Sequence, residues 1–232
     1  MNPPAALLFD LDGTLVDSAV TIALALSELS AMRGGGPADV ASVRRLVSKG
    51  APALVRETLG SHAGDSDADI AAFRAILSEV PPQPNIVFPG VVDALTALSA
   101  AGHTCAIVTN KPEKLASLLL EQLDLSRFFA AVVGGDTLAV CKPDPAPLRH
   151  ALMQLGVGEA AAMIGDSEVD ADAAHAAAVP FILYGCGYQA DGCAKTHVTA
   201  VFHNFDELPG LLQQDLADYM QKSPQERLAN GL

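Results

Sequence analysis

The stretch Leu7-Leu8-Phe9-Asp10-Leu11-Asp12-Gly13-Thr14-Leu15-Val16-Asp17-Ser18 decides the fold. A short apolar run ends abruptly in two aspartates one residue apart, followed by a glycine, a hydroxyl residue and a third acid. A run that is apolar on both faces reads as a buried strand of a parallel sheet, and such sheets bind ligands beyond the carboxyl ends of their strands. Two carboxylates at that end form a candidate catalytic edge. The ordinary alternative is an acidic turn, because Asp and Gly are common turn residues. The rest of the chain decides between them.

Downstream, residues 17–80 carry helical patterns and no strand. Asp17 to Met32 reads as a helix, with Ser18 as its N-cap and Ile22, Leu26 and Leu29 at helical spacing. Arg33-Gly34-Gly35-Gly36-Pro37 stops it, and helical pieces follow at about 38–48, 51–60 and 67–80. Pro81-Pro82-Gln83-Pro84 then reads as a stiff linker. Beyond it strands alternate with helices: strands at 104–109, 130–134, 161–165, 180–184 and 201–202, helices at 91–101, 112–123, 147–155, 169–178 and 206–214. This alternation predicts an α/β fold, a Rossmann-like parallel sheet with helices on both faces. The strand at 5–10 belongs to that sheet, so the helical block is a small all-α cap inserted after the first strand. The expected division is a catalytic core of 1–16 and 86–222, a cap of 17–85 and a disordered tail of 223–232.

The chain has 232 residues, half of them hydrophobic and none of them Trp, which suits one full core built from Ala, Leu and Val. A net charge of −13 repels phosphodiester backbones and anionic membrane surfaces, which argues against nucleic acid or a membrane as partner. The start of the chain lacks the basic and long apolar regions of a signal peptide, and no uncharged run reaches transmembrane length. The four cysteines, at 105, 141, 186 and 193, form no CxxC pair, so neither a zinc knuckle nor a thioredoxin-type pair is expected. These features fit a reduced, cytoplasmic protein, either a monomer or a homodimer.

The candidate chemistry collects at strand ends. The first strand ends at Asp10 and Asp12, the second at Thr109-Asn110, and another at Gly165-Asp166-Ser167, with Asp170 one helical turn further on. Cys141-Lys142-Pro143-Asp144-Pro145 adds a lysine pinned beside prolines. Singly, each has a plain explanation: Thr109 as a helix cap, Lys142 as a solvated lysine, Asp166 and Asp170 as acids at a helix start. Together they suit phosphoryl transfer assisted by a metal. Crowded carboxylates cannot all stay ionised without a cation, and hard oxygen ligands favour Mg²⁺. Metal and Lys142 would also let an acidic protein hold an anion. One aspartate can attack phosphorus, and the second can move the proton.

Asp10-x-Asp12-Gly13-Thr14, Thr109, Lys142 and Gly165-Asp166-x-x-x-Asp170, in that order, resemble the four motifs of the haloacid-dehalogenase-like superfamily. The resemblance implies Asp10 as nucleophile and Asp12 as general acid and base. It implies Thr109 and Lys142 as phosphate holders, with Asn110 beside them. Mg²⁺ would be bound by Asp10, the main-chain carbonyl of Asp12 and Asp166, with Asp170 as a further ligand or support.

A closer likeness is to phosphoglycolate phosphatases, carried by Gly134-Gly135-Asp136-Thr137-Leu138 running into Lys142-Pro143-Asp144-Pro145 and by Phe88-Pro89-Gly90-Val91. It implies 2-phosphoglycolate, or another small phosphorylated metabolite, as substrate. A phosphomutase of the β-phosphoglucomutase type shares all four motifs. In the cap, Lys49 and Gly50 are the candidate substrate contacts, with Lys49 meeting the substrate's carboxylate, and Arg44, Arg45 and Arg56 read as solvated. The sequence departs from the family pattern at Ser48-Lys49-Gly50, where Gly-x-Gly is usual, and at Ala178, where glycine is usual.

Overall fold

The computed structural model describes residues 5–157, 160–193 and 197–212. The expected tail, 223–232, and the end of the expected last helix lie outside these residues. The strands are β1 (Ala6–Phe9), β2 (Thr104–Val108), β3 (Phe129–Val133), β4 (Ala160–Gly165), β5 (Phe181–Tyr184) and β6 (Ala200–Phe202). The helices include α1 (Ala19–Met32), α2 (Val40–Leu46), α3 (Ala51–Leu59), α4 (Ser66–Glu79), α5 (Val91–Ala100), α6 (Glu113–Gln122), α7 (Ala146–Gln154) and α8 (Glu168–Ala177). Residues 208–212 are helical after a 3₁₀ turn at Phe205–Glu207, where the sequence predicts a helix from 206.

All six strands run parallel in one sheet, ordered β3-β2-β1-β4-β5-β6. β1 takes the centre because each of its residues is apolar and buried. Phe9 pairs with Ile107 on one side and Ile164 on the other. The two-residue period of a strand sends Leu7 and Phe9 to one face, where they pack with Leu95 of α5 and Leu120 of α6. Ala6 and Leu8 face the other way, against Leu148 of α7 and Ala174 of α8. Helices therefore cover both faces, as the alternating pattern predicts. Strands are added on one side of β1 up to β3 and on the other from β4 to β6. This reversal opens a crevice at the carboxyl ends of β1 and its neighbours.

The helices α1 to α4 bury an apolar cluster of their own. Ile22, Leu26 and Leu29 of α1 meet Val43 of α2, Leu54 of α3 and Phe73 of α4. The chain enters and leaves this block side by side: Asp17 N donates to Ile86 O at 2.7 Å, and Phe88 N donates to Leu15 O at 3.0 Å. Ser18 precedes α1, but its side chain does not cap the helix, and its backbone is already helical (φ −84°, ψ −2°). Its hydroxyl is drawn into the site instead. Among the described residues, no helix is long and apolar enough to cross a membrane.

Ala178 follows α8 in the left-handed conformation, φ 59° and ψ 40°. The departure from glycine thus falls on a position where a Cβ clashes with the following carbonyl, at about 1–2 kcal/mol. Ala178→Gly is expected to raise unfolding stability by about 1 kcal/mol, since the relieved strain outweighs the added freedom of the unfolded chain. A urea titration with unchanged slope and an unmoved midpoint would contradict this.

Candidate active site

Asp10 leaves β1 still in register, its N–H donating to Ile164 O at 2.9 Å. Its Oδ1 accepts from Lys142 Nζ at 2.9 Å. The same ammonium donates to Asp170 Oδ1 at 2.6 Å and to the Val108 carbonyl at 2.6 Å. A lysine has three protons to give, and Lys142 has three acceptors. It is brought here from the loop before α7 by Asn110, whose Oδ1 accepts Lys142 N–H at 3.0 Å and whose Nδ2 donates to Lys142 O at 2.9 Å. Nδ2 also donates to Ser48 O at 2.7 Å. The Asn110 amide is thus engaged with backbone on three sides. It clamps the end of β2, the Lys142 loop and the helical block together, rather than pointing free as a phosphate ligand.

Asp166 is gripped through both oxygens, by Thr14 Oγ1 at 2.8 Å and by Tyr188 N–H at 2.8 Å. Two glycines permit this. A Cβ on Gly187 would lie 2.1 Å from Asp166 Cβ, and one on Gly13 would lie 2.6 Å from Asp166 Oδ2. Asp170 closes a capping box at the start of α8, its Oδ2 accepting from Ser167 N–H at 3.1 Å and also from Ser167 Oγ at 2.6 Å. The plain role of an acid at a helix start and a place in the site are therefore both filled by one carboxylate.

Oxygens of Asp10, Asp166 and Asp170 lie within 4.8 Å of one another, all buried. Against these three carboxylates stands one ammonium, so two negative charges are unbalanced. The titration of the groups reflects this. Burial pushes the Asp10 carboxyl up to about 6, with Lys142 pulling against it and Asp170 adding to it. Burial, then the charges of Asp170 and Asp10, hold Asp166 well above the usual carboxylate range. Burial alone would lower the Lys142 ammonium, but Asp10 and Asp170 outweigh it and hold it above its ordinary value. An all-oxygen set with an excess of two negative charges fits a hard divalent cation.

Asp12 stands outside that cluster. Its carboxylate accepts from Lys111 Nζ at 3.1 and 3.0 Å, and from the Ser18 hydroxyl. Asp10, Asp12, Thr109 and Lys142 line one cleft of about 220 Å³, to which Val47 and Ser48 of the helical block contribute. Lys49 is exposed and lines neither this cleft nor the adjoining cavity, whereas Gly50 lines the latter.

The model for haloacid dehalogenase-like hydrolases matches residues 4–178. The chain is 42% identical to a phosphoglycolate phosphatase of Rhodospirillum rubrum, covering 88% of this chain and 89% of the relative. It is 37% identical to a phosphoglycolate phosphatase of Rhodobacter capsulatus, over 90% of this chain and 96% of the relative. It belongs to the haloacid dehalogenase-like hydrolases. A crystal structure of a predicted phosphoglycolate phosphatase from Haemophilus somnus superposes with a TM-score of 0.80 at 25% identity, covering 91% of this chain and 99% of that one.

In this hydrolase the sequence motifs miss four contributors. Lys111 and Ser18 hold Asp12. Tyr188 donates its hydroxyl to Asp17 Oδ1 at 2.6 Å while its own N–H holds Asp166, so it spans from the carboxylate cluster to the start of the helical block. Arg44, its side chain still 43% exposed, pairs with Asp17 at 2.9 Å and lies 5.6 Å from the Tyr188 ring centre. Only Lys111 carried a signal available in advance: it is a cation one residue past a strand end already singled out. Lys142→Met leaves Asp10 and Asp170 buried without their counter-charge. Urea denaturation at pH 7 is expected to show a loss of about 3–5 kcal/mol.

Proposed function

We propose that this hydrolase is a Mg²⁺-dependent phosphatase that cleaves a small phosphate monoester, 2-phosphoglycolate, through an aspartyl-phosphate on Asp10. The observation that carries the reading is the contrast between two identical side chains. Asp10 shares a buried cluster with Lys142, Asp166 and Asp170. Asp12, two residues on, has a lysine and a hydroxyl of its own. The first environment suits a carboxylate that attacks phosphorus. The second suits one that handles a proton.

In the first step an Asp10 oxygen bonds to phosphorus, the ester P–O bond breaks, and Asp12 gives its proton to the departing oxygen. In the second, Asp12 takes a proton from the attacking water, the Asp10 ester breaks, and phosphate leaves. Thr109 Oγ1 accepts the Lys111 N–H at 3.2 Å and so keeps its own proton for a phosphate oxygen. Lys142 is the adjacent cation, held in place by Asn110. Asp10, Asp166, Asp170 and the main-chain carbonyl of Asp12 would hold Mg²⁺, which when bound neutralises charge on the phosphoryl group. The helical block, 17–85, closes over the core of 1–16 and 86–222, and the paired crossings form its hinge. The substrate assignment draws on the relatives named phosphoglycolate phosphatase. A reducing, cytoplasmic setting accords with four free cysteines.

Asp10→Asn is expected to lower phosphate release by at least about 10³-fold while leaving the thermal transition cooperative. Full activity in that variant would sink the covalent route. Excess chelator is expected to silence the wild type. Incubation with 2-phosphoglycolate and with β-glucose 1-phosphate separates phosphate release from isomer formation, the phosphomutase outcome.

Metal binding should also depend on pH. The folded Asp10 carboxyl, at about 6, titrates above its ordinary value of 3.8. In the metal-free protein its contribution is therefore present below about pH 4 and lost as pH rises through about 6. A cation that binds the ionised form reverses that loss. The rise in melting temperature on adding Mg²⁺ should be larger at pH 7 than at pH 5, and an equal rise at both would contradict the assignment.

A further inference from the structure

We infer that Lys111 is the receptor for a carboxylate on the substrate and sets which phosphate esters are accepted; the inference rests on the phosphatase reading above. Lys111 Nζ lies in the site with its side chain 7% exposed. Two of its protons go to the two oxygens of Asp12. The third has no acceptor among the described residues. Lys142, in the same cleft, contrasts with it: all three of its protons are taken. One ammonium is saturated by the protein, and the other retains a donor for a ligand.

Its position gives that donor a place to act. Lys111 lines both the cleft that holds Asp10 and an adjoining pocket beneath the helical block. Most other walls of that cavity are apolar, with Ile22 from α1, Leu54 from α3, Phe73 from α4 and Leu115 from α6. Lys111 is the one cation lining it among the described residues. Poorly hydrated surroundings strengthen an ion pair, so an anion at this boundary has one dominant partner. Lys49 is exposed, and Arg44 is taken by Asp17, so neither competes.

Reach limits the ligand as well. Thr109 and Lys111 are two residues apart across a bend, the Lys111 N–H donating to Thr109 Oγ1 at 3.2 Å, and both line one cleft. A phosphate on the Thr109 hydroxyl and an anion on Lys111 therefore belong to one short ligand. A single free proton on a single ammonium matches a singly charged carboxylate. The structure thus assigns to Lys111 the selection of short phospho-carboxylic acids over neutral esters of the same length.

The experiment compares 2-phosphoglycolate with ethyl phosphate, which keeps the length and lacks the carboxylate. The quantity read is the ratio of the two kcat/KM values, with Mg²⁺ present. Lys111→Met is expected to lower that ratio by about 100-fold, and Lys111→Arg, which keeps the charge, to hold it within about tenfold. A ratio unchanged in Lys111→Met overturns the inference even if both activities fall together, because Lys111 would then act only through Asp12. Should that variant not fold, Lys111→Gln is judged by the same ratio. In the wild type, 2-phosphoglycolamide should react about 100-fold more slowly than the acid, and equal rates overturn the inference. Wild-type preference for ethyl phosphate would overturn it while leaving the phosphatase reading standing. Absence of turnover on every ester would overturn that reading itself.

Discussion

Two buried carboxylates sharing one buried ammonium, with a third carboxylate beside them, is the constraint on which the site depends. Lys142 reaches Asp10 and Asp170 at once and ties both to the end of β2 through the Val108 carbonyl. Buried charges are costly unless paired and hydrogen-bonded, so the surroundings are built around them. Asn110 fixes the loop that delivers the lysine. Ser167 and the start of α8 hold Asp170, while Gly13 and Gly187 let the backbone close on Asp166. Even so, the pairing is incomplete. The residual charge is what fits the cluster to a cation, beyond a simple salt bridge.

The second consequence is a division between neighbours. Asp10 and Asp12 leave the same strand end, yet they have separate lysines from separate loops. The strand period sends them to the same side, and the loops after β2 and β3, both on one side of β1, each bring a lysine to one of them. Distinct surroundings for chemically identical groups thus follow from which loop reaches each aspartate.

Much of this was legible in the sequence, for a specific reason. A residue at the end of a buried strand has its place fixed by the strand, so Asp10, Asp12, Thr109 and Asp166 could be located from apolar runs alone. Asp170 follows from one helical turn. Residues whose partners depend on packing were not legible. Ser18 has an ordinary cap identity, and only the approach of Asp12 diverts its hydroxyl. Asn110 was correctly placed, but its amide turned to backbone groups that the sequence does not bring into view. Lys49 has the right charge in the right loop and faces outward. Lys111 matches none of the motifs, and only the fold turns its side chain onto Asp12. Tyr188 lies far along the chain in a segment with no periodic pattern to place it.

The helical block departs and returns through a pair of segments joined by hydrogen bonds on either side of Val16. A segment whose two ends meet can be enlarged, shortened or exchanged without altering the connectivity of the sheet. The three carboxylates themselves stand on the sheet and the start of α8, and the helical block meets their supports only at its edge, through Ser48 O on Asn110 and Asp17 on Tyr188. What changes is the roof over the cleft, formed here by Val47 and Ser48. The paired crossings therefore divide the molecule into a fixed reaction centre and a replaceable enclosure, free to diverge at different rates.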